Sequence, residues 1–482
     1  MAVFAQAFPR RTAVNSAAIF GGEVLSRLAT FAMAVIVAHR FGASALGQYG
    51  YALALANILL LVPDLGLHLL ATRELAAEPG RLRATFWSIH WLKLILVGGV
   101  VVFTFLFGQA GIQDEGRRLL FYLLAIRAIL QTFSQAYMAI FKAFERMQYV
   151  ALQQGVNALL VVAWASSAVL AGAGLGGVVC ALLAGQAAEA WLGWRIIQKR
   201  FSPGPAYPWD GKFLAALLMG SLPIGITAIL QTLNLRLDIL VLSLYASNRE
   251  LGSFQAAAWF QVGAYLLASL VMTILFPRIS RLLRSPSQEA RVYVQVLLKT
   301  GVILMAAGSL GVWLCAPAFL HTVFGTDLGS ATAPLRILTA ALPLMFLNTI
   351  LFYVFVAAQR REVYLSALTV GVVLGTILSF VLAARFGASG SALADFGREL
   401  AVSLVYLVQI LRSEFGQGVG RTLLRILLSA SAIAAVLAAT TGPQNLAIAW
   451  PLVWNLLLLA GTLFFLGLPR LREFFLITDD RL

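Results

Sequence analysis

The stretch at residues 331–357 reads ATAPLRILTAALPLMFLNTILFYVFVA and contains a single charge, that of Arg336. An α-helix needs about 20 mainly apolar residues to cross the hydrocarbon core of a bilayer, and this stretch is long enough. The sequence contains thirteen further stretches of the same kind. The fourteen predicted spans are 13–38, 46–71, 84–107, 119–141, 148–171, 178–197, 213–245, 250–277, 292–318, 331–357, 363–384, 391–411, 422–440 and 446–467.

The composition of the 482-residue chain agrees with a membrane protein. Sixty per cent of the residues are hydrophobic and 11% are charged, whereas soluble domains have about 25% charged residues. A mean hydropathy of +0.88 is too high for water-soluble cores, because surface area grows too fast relative to volume. Soluble enzymes, nucleic-acid readers and disordered scaffolds are therefore excluded. The net charge of +15 indicates contact with anionic membrane lipids, and we expect no nucleic-acid partner.

A polar break at residues 198–212, QKRFSPGPAYPWDGK, divides the chain into two halves of six predicted helices. The sequence predicts an all-α polytopic membrane protein with two six-helix lobes and a C-terminal helix pair. The predicted segments are a cytoplasmic N-terminus (1–12), an N-lobe (13–197), a cytoplasmic linker (198–212), a C-lobe (213–412), the helix pair (413–467) and a cytoplasmic tail (468–482).

The orientation follows from the Lys and Arg residues at the span ends. With a cytoplasmic N-terminus, 23 of these residues lie on the cytoplasmic side and five on the outer side. The five outer residues are Arg40, Arg117, Arg118, Arg249 and Arg385. Both termini are therefore predicted to be cytoplasmic.

The two halves contain similar segments in the same order. Leu46–Ala52 aligns with Leu251–Ala257, and Gly174–Val178 aligns with Gly387–Ser391. Six helices separate the members of each pair, so both members have the same orientation. The predicted repeat is therefore parallel, with its axis along the membrane normal.

Several of these segments resemble a known family. The runs Ala38–Tyr49 (AHRFGASALGQY) and Pro63–Leu67 (PDLGL) resemble the opening of the polysaccharide (O-antigen type) flippases of the multidrug/oligosaccharidyl-lipid/polysaccharide exporter superfamily. Further similar segments are Asp238–Leu242, Gly252–Phe254, Ala357–Arg361 and Gly387–Ala392. The resemblance implies two lobes that form a V around a central cavity. It also implies transport of an undecaprenyl-pyrophosphate-linked glycan across the bacterial inner membrane, alongside glycan biosynthesis and polymerisation proteins.

Three other functions stay open from the sequence. A drug/cation antiporter and a peptidoglycan-lipid flippase of the same superfamily would have the same architecture. A membrane-embedded glycan polymerase or ligase is the alternative from a different class, and we expect such an enzyme to have a large outer loop. The chain has no such predicted loop, so we expect a protein that is not an enzyme and needs no cofactor.

Charged residues inside the predicted spans are the candidate site residues, because each costs several kcal/mol unless it is paired or hydrated. Thirteen such charges predict a hydrated interior. The basic residues are Arg27, Lys93, Arg127, Arg236, Lys299, Arg336 and Arg398, and the acidic residues are Glu23, Asp64, Glu189, Asp238, Asp395 and Glu399.

Four basic residues lack an acidic residue at helical spacing: Lys93, Arg127, Lys299 and Arg336. Together with Arg236, they are candidates for a cationic cavity that binds pyrophosphate, since Arg and Lys donate charge-assisted hydrogen bonds to phosphate. An alternative for Lys299 is that its side chain reaches the cytoplasmic headgroups.

The remaining charged residues have a local explanation or a role in ion coupling. Arg27 lies four residues after Glu23, and Arg398 lies three after Asp395, so each arginine can form an ion pair on its own helix. Arg27 and Arg398 are therefore candidates for the cavity, with a local ion pair as an equally good explanation of their presence in a span. The candidates for ion coupling are Asp64, His68, Glu189 and Asp238, with a local hydrogen-bonded pair as the alternative for Asp64 and His68. No metal site is predicted, since the four histidines form no ligand motif.

Overall fold

The computed structural model describes residues 10–283 and 288–412, and these residues are almost entirely helical. Ten helical segments of this part are long and apolar enough to cross a membrane. The predicted all-α polytopic membrane fold is therefore confirmed. The count of fourteen spans stays a prediction, because the predicted spans 422–440 and 446–467 lie outside the described residues, as do residues 1–9 and the tail 468–482.

The helices form because apolar side chains cover a backbone whose polar groups are all satisfied within each segment. Numbered in chain order, they are α1 Arg10–Asp64, α2 Leu67–Ala77, α3 Leu82–Gly111, α4 Glu115–Ala143, α5 Met147–Leu170, α6 Leu175–Ile196, α7 Gly211–Leu242, α8 Asn248–Leu282, α9 Gln288–Phe324, α10 Thr332–Ala357 and α11 Arg361–Leu411.

Two of these helical segments each contain two predicted spans. The segment α1 includes spans 13–38 and 46–71, and α11 includes spans 363–384 and 391–411. Each predicted outer turn is reduced to a break at one glycine, Gly42 with φ 80° or Gly387 with φ 55°. A residue without a Cβ adopts these positive φ values at little cost, so the helical path is interrupted there without a longer loop.

The chain forms two compact units, unit 1 (Met1–Arg236) and unit 2 (Leu237–Leu482). The boundary lies within α7, so most of this helix belongs to unit 1. In unit 1, α1 packs against α4 and α5, and both of these pack against α6. In unit 2, α10 is the central helix and packs against α8, α9 and α11. The lobe boundaries at 197 and 213 stay a prediction.

The segment at residues 203–209, within the predicted linker, is bound along α3 in unit 1. Arg83, Trp87 and Trp91 follow one another at four-residue spacing, which places them on one face of α3. Their side chains donate hydrogen bonds to the carbonyls of Pro205 (3.0 Å), Gly204 (3.3 Å) and Tyr207 (3.3 Å), respectively. The linker is therefore attached to unit 1 by side-chain donors.

The two arms of α11 approach each other closely at Gly390. A Cβ placed on Gly390 would overlap the carbonyl oxygen of Leu382, across the break at Gly387. Because the obstructing atom belongs to the backbone, no side-chain rotation can relieve the overlap. Gly308 in α9 is a matched glycine, since a Cβ there would meet nothing within 4 Å.

We therefore predict that Gly390→Ala separates the arms of α11 and lowers the thermal unfolding temperature of the purified protein. Gly308→Ala should keep or raise it, because Ala is better than Gly within a helix by roughly 0.5–1 kcal/mol. The measurement is thermal unfolding in detergent with membrane-inserted yield. Equal unfolding temperatures for the two variants would contradict the close approach at Gly390.

Candidate functional site

Most charges predicted inside the spans lie in three groups, which we name after their central residues. The Arg398 cluster in unit 2 consists of Asp238, Asp395, Arg398 and Glu399. The Lys93 cluster in unit 1 consists of Asp64, His68, Lys93 and Thr132. The arginine–tyrosine cluster, also in unit 1, consists of Tyr49, Arg127 and Arg236. The first two contain the ion pairs that sequence spacing alone did not predict.

The Arg398 cluster contains one buried guanidinium, two buried carboxylates and the half-buried carboxylate of Glu399. The Arg398 side chain is bonded to Asp238 at 2.9 Å, to Glu399 at 3.3 Å and to Asp395. Asp238, Asp395 and Arg398 are each at most 6% exposed. Asp238 lies in α7 and the other three residues in α11, so the cluster joins the end of one helix to another.

Neutral side chains complete the hydrogen bonds of the three carboxylates. Ser379 donates to Asp238 at 2.7 Å, Gln261 donates to Asp395 at 2.5 Å, and Asn348 donates to Glu399 at 2.7 Å. The small residue Gly375 leaves room for the arginine stem, since a Cβ there would lie 3.0 Å from Cδ of Arg398. Arg398 is thus saturated by protein groups, which favours a structural role over direct substrate binding.

The Lys93 cluster is likewise buried and internally paired. Lys93 Nζ lies 2.9 Å from Asp64 Oδ1 and donates to Thr132 Oγ1 at 2.5 Å. The other oxygen of Asp64 lies 2.5 Å from His68 Nδ1. The sequence indicated the neighbours Asp64 and His68, but it left Lys93 without a partner. Lys93 is therefore paired within the protein, and its role in the predicted cationic cavity stays a prediction.

The local pair Glu23–Arg27 also forms. Arg27 Nε lies 2.8 Å from Glu23 Oε1, and Gln154 donates to the second oxygen of Glu23 at 3.3 Å. Arg27 is exposed and lies within electrostatic range of Arg236.

The arginine–tyrosine cluster contains two of the predicted cavity cations. Arg127 and Arg236 are half-buried, and within unit 1 neither forms an ion pair at hydrogen-bonding distance among the described residues. Both lie close enough to the buried Tyr49 hydroxyl to interact with it electrostatically. That hydroxyl has no hydrogen-bond partner in the part of the chain that the structure describes. Two guanidinium groups and an unused hydroxyl together form a group of donors suited to an anion.

Glu189 lies near this cluster and is held by amide side chains. It is 5% exposed and accepts hydrogen bonds from Asn157 and Gln186. Gln153 donates to its backbone carbonyl at 2.9 Å. Arg127 is within electrostatic range of Glu189, so this carboxylate balances part of the positive charge.

The other two predicted cations lie in unit 2. The guanidinium of Arg336 lies over the ring of Trp313, 4.4 Å from its centroid, and Arg336 Nε donates to the Trp313 carbonyl at 3.3 Å. This cation–π contact keeps the planar face of Arg336 occupied. Lys299 is half-buried in α9. The structure does not bring either residue into the arginine–tyrosine cluster.

Sequence reasoning missed the neutral polar residues of these sites. Tyr49 and Thr132 stand in apolar spans, and the amides of Gln153, Gln154 and Asn157 lie along one side of α5. These residues could have been found from the sequence as amide and hydroxyl side chains inside apolar spans, because neutral polar groups within a membrane also need hydrogen-bond partners. Among the described residues, no group of His, Cys, Asp and Glu side chains is arranged to hold a metal ion.

Comparison with known proteins identifies the fold and the family. A lipid II flippase, MurJ, in an inward closed conformation is similar with a TM-score of 0.70 and 17% identity, covering 94% of this chain and 98% of that one. An inward-facing multidrug resistance MATE family transporter of the MOP superfamily has a TM-score of 0.64 and 16% identity, covering 82% and 98%. A MOP superfamily transporter from Pyrococcus furiosus has a TM-score of 0.57 and 15% identity, covering 82% and 94%.

The chain therefore has the fold that these flippases and transporters share. The family model described as polysaccharide biosynthesis protein matches residues 13–283, which is more than half of the chain. The chain belongs to this polysaccharide biosynthesis protein family of multi-pass membrane proteins, as its sequence motifs indicated. A comparison with curated proteins found no match.

We predict that Arg398→Ala strongly destabilises the protein, because it leaves the buried carboxylates of Asp238 and Asp395, and the half-buried carboxylate of Glu399, without their counter-ion. Loss of one partner from a buried ion pair costs about 3–5 kcal/mol. Arg81→Ala is the matched control, since Arg81 forms an exposed pair with Glu78 at 2.5 Å and such pairs contribute about 0–1 kcal/mol. Thermal unfolding of both variants tests this prediction. If Arg398→Ala unfolds at the same temperature as Arg81→Ala, Arg398 has no structural role.

Proposed function

We propose that the protein is a flippase that moves an undecaprenyl-pyrophosphate-linked oligosaccharide from the cytoplasmic to the outer leaflet of the bacterial inner membrane by alternating access. The arginine–tyrosine cluster is the observation that carries this proposal, and the family membership supports it. In the proposed orientation, both termini are cytoplasmic.

A pyrophosphate group needs compensating cations to enter a membrane protein. Its charges would be far more costly in a low-dielectric interior than in water, unless donors replace the lost hydration. The planar guanidinium groups of Arg127 and Arg236 suit phosphate oxygens, to which arginine donates paired hydrogen bonds. The Tyr49 hydroxyl supplies one further donor. We propose that these three groups bind the pyrophosphate while the lipid tail stays in the bilayer.

The positive sign of this cluster argues against the drug/cation antiporter, because a cationic drug would be repelled by the two arginines. A peptidoglycan-lipid flippase is the second candidate, and the similarity to the lipid II flippase supports it. Its substrate would use the same pyrophosphate donors. The two candidates differ in the glycan, so substrate competition must distinguish them.

We predict that Arg127→Ala and Arg236→Ala each reduce glycan export by about tenfold or more, since hydrogen bonds to charged groups contribute about 1.5–3 kcal/mol. The corresponding Arg→Lys variants should recover part of the export, because they keep the charge and lose the paired geometry. The measurement is surface glycan in a flippase-deficient strain, normalised to membrane-inserted protein.

Arg385→Ala is the control for this experiment, because Arg385 is exposed in α11 and belongs to none of the three clusters. It should export at close to the wild-type level. Wild-type export from the double Arg127→Ala, Arg236→Ala variant would refute the pyrophosphate site.

A second prediction separates transport from covalent chemistry. Purified protein in liposomes should make a lipid-linked glycan accessible on the opposite leaflet without changing its mass. Mass spectrometry of the recovered lipid checks this result, with lipid II as the competing substrate. A new glycosidic or phosphate-ester product would indicate the polymerase or ligase alternative instead.

A further inference from the structure

The second predicted span contains a built-in break next to the Lys93 cluster. Helix α1 ends at Asp64 and α2 begins at Leu67, and the residues between them have positive φ values, 38° at Leu65 and 79° at Gly66. Such a break leaves backbone carbonyls without their helical partners, and within a membrane these groups need other donors.

The break is fixed by close backbone packing against α7. A Cβ on Gly66 would lie 2.7 Å from the backbone nitrogen of Gly225, and a Cβ on Gly225 would lie 2.5 Å from the carbonyl oxygen of Leu65. Neither glycine can carry a side chain without moving the backbone. The two helices therefore meet at the break, backbone against backbone.

Lys93 is the internal cation of this break. Its side chain is fully buried, and Nζ lies 2.9 Å from Asp64, 2.5 Å from Thr132 and 3.5 Å from the carbonyl oxygen of Pro63. An ammonium group has three N–H donors, so these three acceptors account for all of them. Lys93 thus neutralises Asp64 and also reaches a carbonyl at the end of α1.

His68 is the member of the cluster that reaches the surface. Its side chain is 26% exposed, compared with 8% for Asp64 and 0% for Lys93. An ionised carboxylate can only accept a hydrogen bond, so the proton between His68 and Asp64 belongs to Nδ1 of the imidazole. The neutral ring consequently has its lone pair on Nε2, which is the atom that can accept a further proton.

Four helices, α1, α3, α4 and α7, contribute the groups that surround the Lys93 cluster and His68. Asp64 in α1 and Lys93 in α3 are the charged neighbours, and α4 contributes the Thr132 hydroxyl. At the break, α7 contributes backbone atoms of Ser221 and Gly225. With His68 neutral the cluster has no net charge, and protonation of His68 makes its net charge +1.

We propose that the Lys93 cluster is a proton-binding site, at which Nε2 of His68 takes up and releases one proton while Asp64 stays ionised beside Lys93. The added charge repels Lys93 and is attracted to the carbonyl end of α1, so it changes the forces on the break between α1 and α2. Through the contact of Gly66 with Gly225, protonation then acts on α7. In linking this proton to glycan transport, the inference rests on the proposed function.

The first test observes the proton directly and needs no transport. The protein is labelled with ¹⁵N-histidine in nanodiscs, and the His68 signal is assigned as the one lost in His68→Gln. Spectra are recorded from about pH 8 down to about pH 5, and we expect the Nδ1–H form of the neutral ring at the upper end and the doubly protonated ring at the lower end. A ring that stays in one state across this range would overturn the site.

The second test measures transport in liposomes as a function of pH. We expect the initial rate of the wild-type protein to change by about threefold or more between about pH 5.5 and 7.5, and the rate of His68→Gln to vary less than twofold. His321→Gln is the matched control, because His321 is an exposed histidine of α9, and it should keep the wild-type profile. A wild-type profile in His68→Gln would overturn the proposed coupling.

A third variant tests the role of Lys93. Lys93→Met removes the counter-ion of Asp64, so the carboxylate and the imidazole should share the proton and the pH profile should move by about one unit or more. An unshifted profile in folded Lys93→Met would contradict the internal-cation assignment. If His68 titrates in protein that moves no lipid-linked glycan, the proton site is supported and the proposed flippase function is refuted.

Discussion

An unpaired ion in the hydrocarbon region of a membrane is too costly to persist, and the interior of this protein follows from that constraint. Arg398 is surrounded by Asp238, Asp395 and Glu399, and Lys93 is saturated by Asp64 and its neighbours. These pairs join residues of different helices, Asp64 of α1 with Lys93 of α3 and Asp238 of α7 with Arg398 of α11. They also separate the structural charges from those available for a ligand.

The same constraint applies to the arginine–tyrosine cluster, whose cations also need a counter-charge. Arg127 and Arg236 are half-buried and have no carboxylate bonded to them in unit 1, and the hydroxyl of Tyr49 is unused. Glu189, held by amides of α5, balances only part of this charge. Donors that the protein does not satisfy internally are suited to an anion that arrives from outside. The fold itself is shared by a lipid II flippase and a multidrug transporter, so it does not identify the substrate. The pyrophosphate-linked substrate that we propose rests instead on the positive charge of this cluster.

The class of fold and the pairs of charged residues within one helix could be predicted from the sequence. Spans were visible as apolar runs, and Glu23 with Arg27 and Asp64 with His68 could be paired because helical geometry brings residues four apart onto one face. The bonds of Lys93 to Asp64 and of Arg398 to Asp238 could not be predicted. They join residues on different helices, so they depend on how the helices pack. Pro63 indicated a kink in the second span, but not that the helix ends at Asp64, because the apolar run continues through the break.

We propose that the arginine–tyrosine cluster binds a pyrophosphate. The binding of a short-chain polyprenyl pyrophosphate to purified protein tests this proposal without requiring transport. The wild-type protein should bind it with an affinity about tenfold or more above that of the double Arg127→Gln, Arg236→Gln variant, and this difference should shrink at high salt. Both proteins must first show the same thermal unfolding temperature. Equal affinities of the two folded proteins would contradict the account.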